Sequence, residues 1–357
     1  MNGARVGVIG AGYWGPNLIR NFVEIPEAEL VAVADRDEGR LAHVRSRYPA
    51  IELTTARFED LFDLGLDGVA ICTPPETHHS IASQCLENGL NVLVEKPLTT
   101  SSATAASLIA LADRVERVLM VGHTFEYNPA VLKLKAMIDS GDVGQIRYID
   151  AVRVGLGLFH PRLNVIWDLA PHDISILMRL LGEVPDRVAV VGSACLRPGI
   201  VDVAYMTLYF PSGVTAHVRM SWLDPMKTRR ITVVGSKRMA VYDDVALNEK
   251  IKMYDVRVDE VPHTDTFGEF QFAYHHGDIV SPHVDFQEPV RLECLEFLDA
   301  ITEQRRAHTD GQDGLVVVRV IEAAQESLRN GGVPVVVGIE RSLDRPGLSA
   351  IQGSVAR

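Results

Sequence analysis

Three stretches of this sequence hold residue types whose spacing suits redox and proton-transfer chemistry. The first is Gly10-Ala11-Gly12-Tyr13-Trp14-Gly15, a G-x-G-x-x-G run. It follows a β-branched segment at residues 5–10 and opens helical periodicity over 14–25, on Leu18, Ile19, Phe22 and Val23. Asp35 ends the next apolar run, about 20 positions on, where a dinucleotide fold places its ribose acceptor. Glycine suits such a turn because the chain must bend tightly and bring its backbone against a pyrophosphate. The helix that follows offers unpaired N–H groups and the positive end of its dipole to that anion. Asp35 would accept from the ribose hydroxyls and repel a 2′-phosphate, so NAD is favoured. Arg36, adjacent, keeps NADP open, because an arginine there can pair with that phosphate.

The second stretch is Glu95-Lys96-Pro97, and the third is Asp168-Leu169-Ala170-Pro171-His172. Glu95 ends one apolar run, and Cys72-Thr73-Pro74-Pro75-Glu76-Thr77-His78 ends the run before it. Both fall at the carboxyl edge of a parallel sheet, where open α/β folds collect ligands. A lysine directed into a cleft loses hydration, and desolvation favours its neutral form. By spacing alone, Glu95 and Lys96 are equally a surface salt bridge. Pro171 is tolerated in a first helical turn, so Asp168 reads as the N-cap of a helix over 170–181. His172 then sits just inside that helix. A carboxylate one turn away could orient its imidazole.

These residues need a framework. Apolar runs at 5–10, 30–34, 68–72, 91–94 and 118–121 alternate with helix-like segments, including 81–86 and 103–112. That alternation implies βαβ units and a doubly wound parallel sheet over residues 1–123. The pattern then changes. A helix over 128–140 precedes strand-like runs at 145–155, 186–195, 202–210, 214–222, 229–235 and 238–242. Such close spacing leaves no room for crossover helices, so a large, mainly antiparallel sheet is expected. Residues 243–288 resist assignment. Amphipathic helices at 289–305 and 314–329 and a short strand at 334–337 complete a second α/β domain over 124–337. Residues 338–357 read as a mixed, polar tail.

At this point the chain resembles the Gfo/Idh/MocA family of oxidoreductases. The resemblance rests on the glycine run, Thr73-Pro74 with His78, Glu95-Lys96-Pro97, and Asp168 with His172. It spans residues 1 to about 337 in domain order. It implies a Rossmann domain followed by an α/β domain with a large open antiparallel sheet, whose outer face forms a homodimer or homotetramer interface. It makes Lys96 and His172 the catalytic pair and has Asp168 position substrate or histidine. Thr73, Pro74, His78, Glu95 and Pro97 then belong to the nicotinamide side, with Tyr13 and Trp14 in the cofactor turn. Tyr127 and Arg153 are further candidates for substrate contact. The stretch 164–173 and Ser221-Trp222-Leu223-Asp224-Pro225 resemble members similar to nucleotide-sugar 3-dehydrogenases. Inositol or other polyol oxidation, or NAD-assisted glycoside hydrolysis on the same fold, is the alternative. A non-enzymatic NAD sensor stands furthest off.

Bulk properties narrow the field. The chain has 357 residues, 47% of them hydrophobic, and a net charge of −12. An acidic chain disfavours nucleic acid as a partner. The cysteines Cys72, Cys85, Cys195 and Cys294 show no metal-like spacing and read as reduced thiols. His275-His276 lacks companion ligands, so no metal is expected. Arg229-Arg230 reads as a solvated strand edge. No signal peptide or membrane-length apolar span is evident, and a cytoplasmic enzyme with no membrane partner is expected.

Overall fold

The computed structural model describes residues 3–157, 159, 163–260, 272–285 and 287–338. The early apolar runs become parallel strands joined by helices. In order these are β1 (Ala4–Ile9), α1 (Gly15–Glu24), β2 (Ala28–Ala34), α2 (Glu38–Arg47), β3 (Leu53–Thr55), β4 (Gly68–Ile71), α3 (Pro75–Glu87), β5 (Asn91–Glu95), α4 (Ser102–Arg114) and β6 (Leu119–Gly122). The sheet order is β3-β2-β1-β4-β5-β6, with every neighbouring pair parallel. The order reverses between β1 and β4. The helices that follow those strands, α1 and α3, pack into different cores, and the carboxyl edge at such a reversal is where doubly wound folds bind ligands. The strand β3 and the helix α2 had no expectation behind them. The helix α2 is short, mostly exposed and held at its start by Asp37, whose carboxylate caps the Arg40 N–H at 3.1 Å.

The chain continues with α5 (Pro129–Asp139), β7 (Ile146–Leu156), α6 (Val165–Leu181), β8 (Arg187–Ser193), β9 (Val203–Tyr209), β10 (Thr215–Ser221), β11 (Leu223–Gly235) and β12 (Met239–Asp243). Then come β13 (Ile251–Glu260), β14 (Phe272–Val280), α7 (Pro289–Glu303), α8 (Gly311–Arg329) and β15 (Val335–Val336). A nine-stranded sheet runs β14-β13-β12-β11-β7-β10-β9-β8-β15. It is antiparallel except where β10 lies parallel to β7. The unassigned stretch at 243–288 thus supplies β13 and β14, a hairpin that extends the sheet. Alternate residues of β9 and β10 are buried, and α6 packs against β7, β9 and β10. The opposite face leaves Tyr148, Val191 and Tyr205 exposed.

Two compact units emerge, and their boundaries differ from the expected 123 and 337. Among the described residues, those up to Tyr127 join 287–322 in the first, and 128–285 join 323–338 in the second. The physical reason lies in α7. Its Cys294, Phe297 and Leu298 complete the apolar core that Leu18, Ile19 and Phe22 of α1 begin on one face of the parallel sheet. The polar tail from 339 onward lies outside the described residues. No helix among the described residues is long and apolar enough to cross a membrane.

Candidate active site

In the first unit, the glycine turn joins β1 to α1, and each of its glycines answers a different steric demand. Gly10 has φ of +102°, and a Cβ there would stand 2.7 Å from the Cys72 carbonyl oxygen at the end of β4. A Cβ on Gly15 would stand 2.1 Å from the Gly10 oxygen, so only glycine lets the helix start this close to the strand. Gly12 is different. The nearest atom to a Cβ there is Arg40 Nη1, at 3.5 Å. Its backbone is open on the outer side, as a pyrophosphate cradle requires. The helix α1 also begins without a side-chain cap, with Pro16 in its first turn. Pro16 carries no N–H and the Asn17 N–H donates to the Trp14 oxygen at 2.9 Å, so the Gly15 N–H is the group this helix start offers an anion.

Asp35 lies at the same carboxyl edge. Its Oδ2 accepts from the Ala11 N–H at 2.6 Å, and its Oδ1 accepts from the Asp37 N–H at 2.8 Å. The carboxylate thus fastens the glycine turn to the end of β2. Its side chain is only 8% exposed. Arg36 is exposed and makes no described ion pair or hydrogen bond. Tyr13 is largely exposed and Trp14 half-buried. These residues fit a bound dinucleotide.

At the carboxyl ends of β4 and β5, His78 on α3 is the fastener. Its Nδ1 lies 2.9 Å from the Pro97 oxygen and its Nε2 lies 2.8 Å from the Thr73 oxygen. The ring is buried and tied to both loops, which places Thr73-Pro74 beside Lys96-Pro97. Burial lowers the His78 pKa below its usual value, and the two carbonyl oxygens work against burial without overcoming it. His78 therefore acts by holding the loops. Thr73 and Thr77 hydroxyls, 2.7 Å apart, tighten the same turn. Lys96 is half-buried, and its N–H donates to Glu95 Oε2 at 3.2 Å.

Glu95 lies across Gly122, where a Cβ would stand 3.1 Å from the Glu95 carboxylate. Burial pushes the Glu95 carboxyl up to about 7, opposed by the Lys96 ammonium, the Lys96 N–H and a weak pull from the Trp14 indole. On α7, the fully buried Glu293 accepts from the Thr124 hydroxyl at 3.0 and 3.2 Å. Burial, then the Glu95 charge, hold Glu293 well above the ordinary carboxyl range. Sequence periodicity could show only that Glu293 interrupts an apolar helix face.

The second unit gathers the other candidates. The helix α6 begins at Val165, earlier than the expected 170, and Asn164 caps it by accepting from the Trp167 N–H at 3.2 Å. Asp168 is therefore in the first turn and is not the N-cap. Pro171 lies inside the helix. Asp168 and His172 stand four residues apart on one helix face, both half-buried. The Trp222 indole donates to Asp168 Oδ2 at 2.9 Å. Arg153 is buried and gripped at two points by Asp173, at 2.8 and 2.9 Å. Its charge is neutralised inside the unit, so it is no open cation for a substrate. Tyr127, in the first unit, is buried with its hydroxyl 2.8 Å from the Thr309 hydroxyl. Both sequence candidates for substrate contact are thus internal polar anchors. Arg229 reaches Asp244 at 3.3 Å.

A cavity of about 450 Å³ opens at the amino edge of the parallel sheet, among Asn91, Arg117, Val118 and Leu119. It lies at the sheet edge opposite to the glycine turn. Its arginines are already engaged, Arg117 with the Gly89 oxygen, Arg305 with Glu296, and Arg306 with Asp113 and Asp310.

Comparison with known proteins agrees with this geometry. A family model described as "Oxidoreductase family, NAD-binding Rossmann fold" matches residues 4–123, and the GFO/IDH/MocA C-terminal domain matches 131–241. The UDP-N-acetylglucosamine 3-dehydrogenase of Acidithiobacillus ferrooxidans is 28% identical over 328 residues, 90% of this chain and 95% of the relative. Its solved structure covers 92% of this chain and 99% of its own at a TM-score of 0.75, with 26% identity. The scyllo-inositol 2-dehydrogenase (NAD(+)) of Bacillus subtilis is 26% identical over 350 residues, 95% of this chain and 97% of the relative. An oxidoreductase from Agrobacterium radiobacter, solved in complex with NAD+, L-tartaric acid and magnesium, shares the fold. Its TM-score is 0.77 at 22% identity, covering 94% of this chain and 98% of that one. With both domain models matched in order and the glycine turn built for a dinucleotide, this chain belongs to the Gfo/Idh/MocA family of NAD-binding oxidoreductases.

Proposed function

We propose that this protein is an NAD-dependent dehydrogenase that oxidises a secondary hydroxyl of a sugar, at C3 of a nucleotide sugar. The observation that carries the reading is Lys96 at the carboxyl end of β5, on the same sheet edge as the open glycine turn after β1. When bound, NAD supplies the hydride acceptor. Lys96 offers positive charge to the oxygen that becomes alkoxide-like as its carbon is oxidised. Glu95, ionising at about 7, adjusts the field around that charge. His172 takes the hydroxyl proton as general base. Asp168, steadied by the Trp222 indole, keeps the first turns of α6 in place for it. His78 holds the two loops that flank Lys96 in register.

The nucleotide-sugar substrate is supported by the relative named UDP-N-acetylglucosamine 3-dehydrogenase. The scyllo-inositol relative is nearly as similar over more of the chain, so a polyol is the second reading. A substrate screen followed at the NADH absorbance separates them. NADH formation with UDP-sugars and a ketone at C3 supports the first. Turnover confined to inositols supports the second, and glycoside cleavage without net NADH overturns both. Lys96→Ala and His172→Ala should bind NAD normally and lose turnover by at least about a hundredfold, the usual weight of a proton-transfer residue. Full activity in either variant refutes its assignment. The exposed face of the nine-stranded sheet, with Tyr148, Val191 and Tyr205, is the surface through which we expect a homo-oligomer to form.

A further inference from the structure

Arg40 stands in the first turn of α2, outside every motif considered so far. Its Nη1 lies 3.5 Å from Asp35 Oδ2 and 3.5 Å from the point where a Cβ on Gly12 would be. One guanidinium therefore borders both the open glycine of the turn and the Asp35 carboxylate. Its backbone is fixed by Asp37, which caps the Arg40 N–H at 3.1 Å and whose Oδ2 lies 3.7 Å from Arg40 Nε. The side chain remains 52% exposed, so it can turn toward a ligand without leaving a burial site. Arg36, the arginine adjacent to Asp35 in sequence, shows no such placement; it is exposed and makes no described ion pair.

We propose that Arg40 is the residue through which this protein admits NADP beside NAD, its guanidinium meeting the 2′-phosphate of the adenosine ribose. Asp35 does not move aside for that phosphate, because both its oxygens are committed to backbone N–H groups of Ala11 and Asp37. The two carboxylates of Asp35 and Asp37 outnumber the one arginine, so a ribose diol remains the better fit. Glu38, the other acid of this turn, is engaged by Arg45. With a diol bound, Arg40 stays on the aspartates. With a phosphate bound, it transfers to the phosphate, where a planar guanidinium makes two parallel hydrogen bonds. The result is a graded preference for NAD, with Arg40 setting its steepness.

The test is calorimetric titration of NAD and of NADP into the full-length protein without substrate. It compares the unaltered chain with Arg40→Ala and Arg36→Ala. The expected result is weaker NADP binding by about tenfold in Arg40→Ala, the weight of one charge-assisted contact. NAD affinity in the same variant should stay within about threefold, which shows the turn intact. Arg36→Ala should leave the ratio of the two affinities within about threefold. Three results would each overturn the assignment: loss of NADP affinity in Arg36→Ala alone, equal loss of both cofactors in Arg40→Ala, or no NADP binding by the unaltered protein at millimolar concentration. Because no substrate is present, the outcome is independent of which alcohol the enzyme oxidises.

Discussion

Alanine at Gly12 and alanine at Gly15 should fail in opposite ways. At Gly15 the added Cβ would lie 2.1 Å from the Gly10 carbonyl oxygen and 3.0 Å from its carbon. Both obstacles are backbone, so α1 must back away from β1 by about 1 Å before the contact becomes tolerable. Leu18, Ile19 and Phe22 of α1 are fully buried and move with it. Overpacking of this kind costs about 1–3 kcal/mol, a sizeable share of a stability of roughly 5–15 kcal/mol. At Gly12 the nearest atom is the end of the flexible Arg40 side chain, at 3.5 Å, and the backbone φ is not positive. Gly12→Ala should fold within about 0.5 kcal/mol of the unaltered protein. It places a methyl group on the open side of the turn, where the pyrophosphate would rest. We expect NAD affinity to fall at least tenfold, about 1.4 kcal/mol. Urea unfolding followed by tryptophan fluorescence and calorimetric titration of NAD measure the two quantities separately. If Gly12→Ala is the less stable variant, or binds NAD as well as the unaltered chain, the assignment of the cradle is wrong.

Two further outcomes follow from buried titrating groups. His78→Ala removes the ring that stands between the Thr73 and Pro97 carbonyl oxygens and leaves a void. We expect a loss of about 2–4 kcal/mol from the one hydrogen bond a neutral imidazole donates and the cavity together, with a higher KM for NAD; a loss below about 1 kcal/mol would show that the loops do not depend on it. Because burial depresses the His78 pKa, its stabilising share is present above about 6.5 and is lost as pH falls through the lower native value. Glu95 has the reverse sign. Its carboxyl is raised to about 7, so the native state keeps a proton that the unfolded chain releases near 4.5. Stability should therefore decline as pH rises from about 4.5 through about 7, by on the order of 3 kcal/mol. Glu95→Gln should flatten that decline, and an unchanged pH profile of unfolding would contradict the burial argument.

The alternation of apolar runs and helices placed the parallel sheet and its carboxyl edge. Composition and turn spacing implied the antiparallel sheet of the second unit. The G-x-G-x-x-G run with Asp35 pointed to the dinucleotide turn, because each glycine there answers a local backbone demand that residue type records directly. Lys96, Asp168 and His172 could be nominated by motif, yet their roles came from family resemblance.

Contacts between residues far apart in sequence were another matter. No periodicity reveals that Arg153 is neutralised by Asp173 or that Tyr127 is bound to Thr309. The return of α7 to the first unit, which puts Glu293 near Glu95, is decided by which core Phe297 completes. The start of α6 turned on Asn164 capping where Pro171 suggested a later beginning. The position of Arg40 over the glycine turn depends on the angle at which α2 leaves β2, a property of packing. Local residue type determined which backbone shapes and ligand chemistries were available. Only the tertiary structure decided which charged groups stayed open to a ligand, because burial and pairing are set by neighbours that the chain brings from elsewhere.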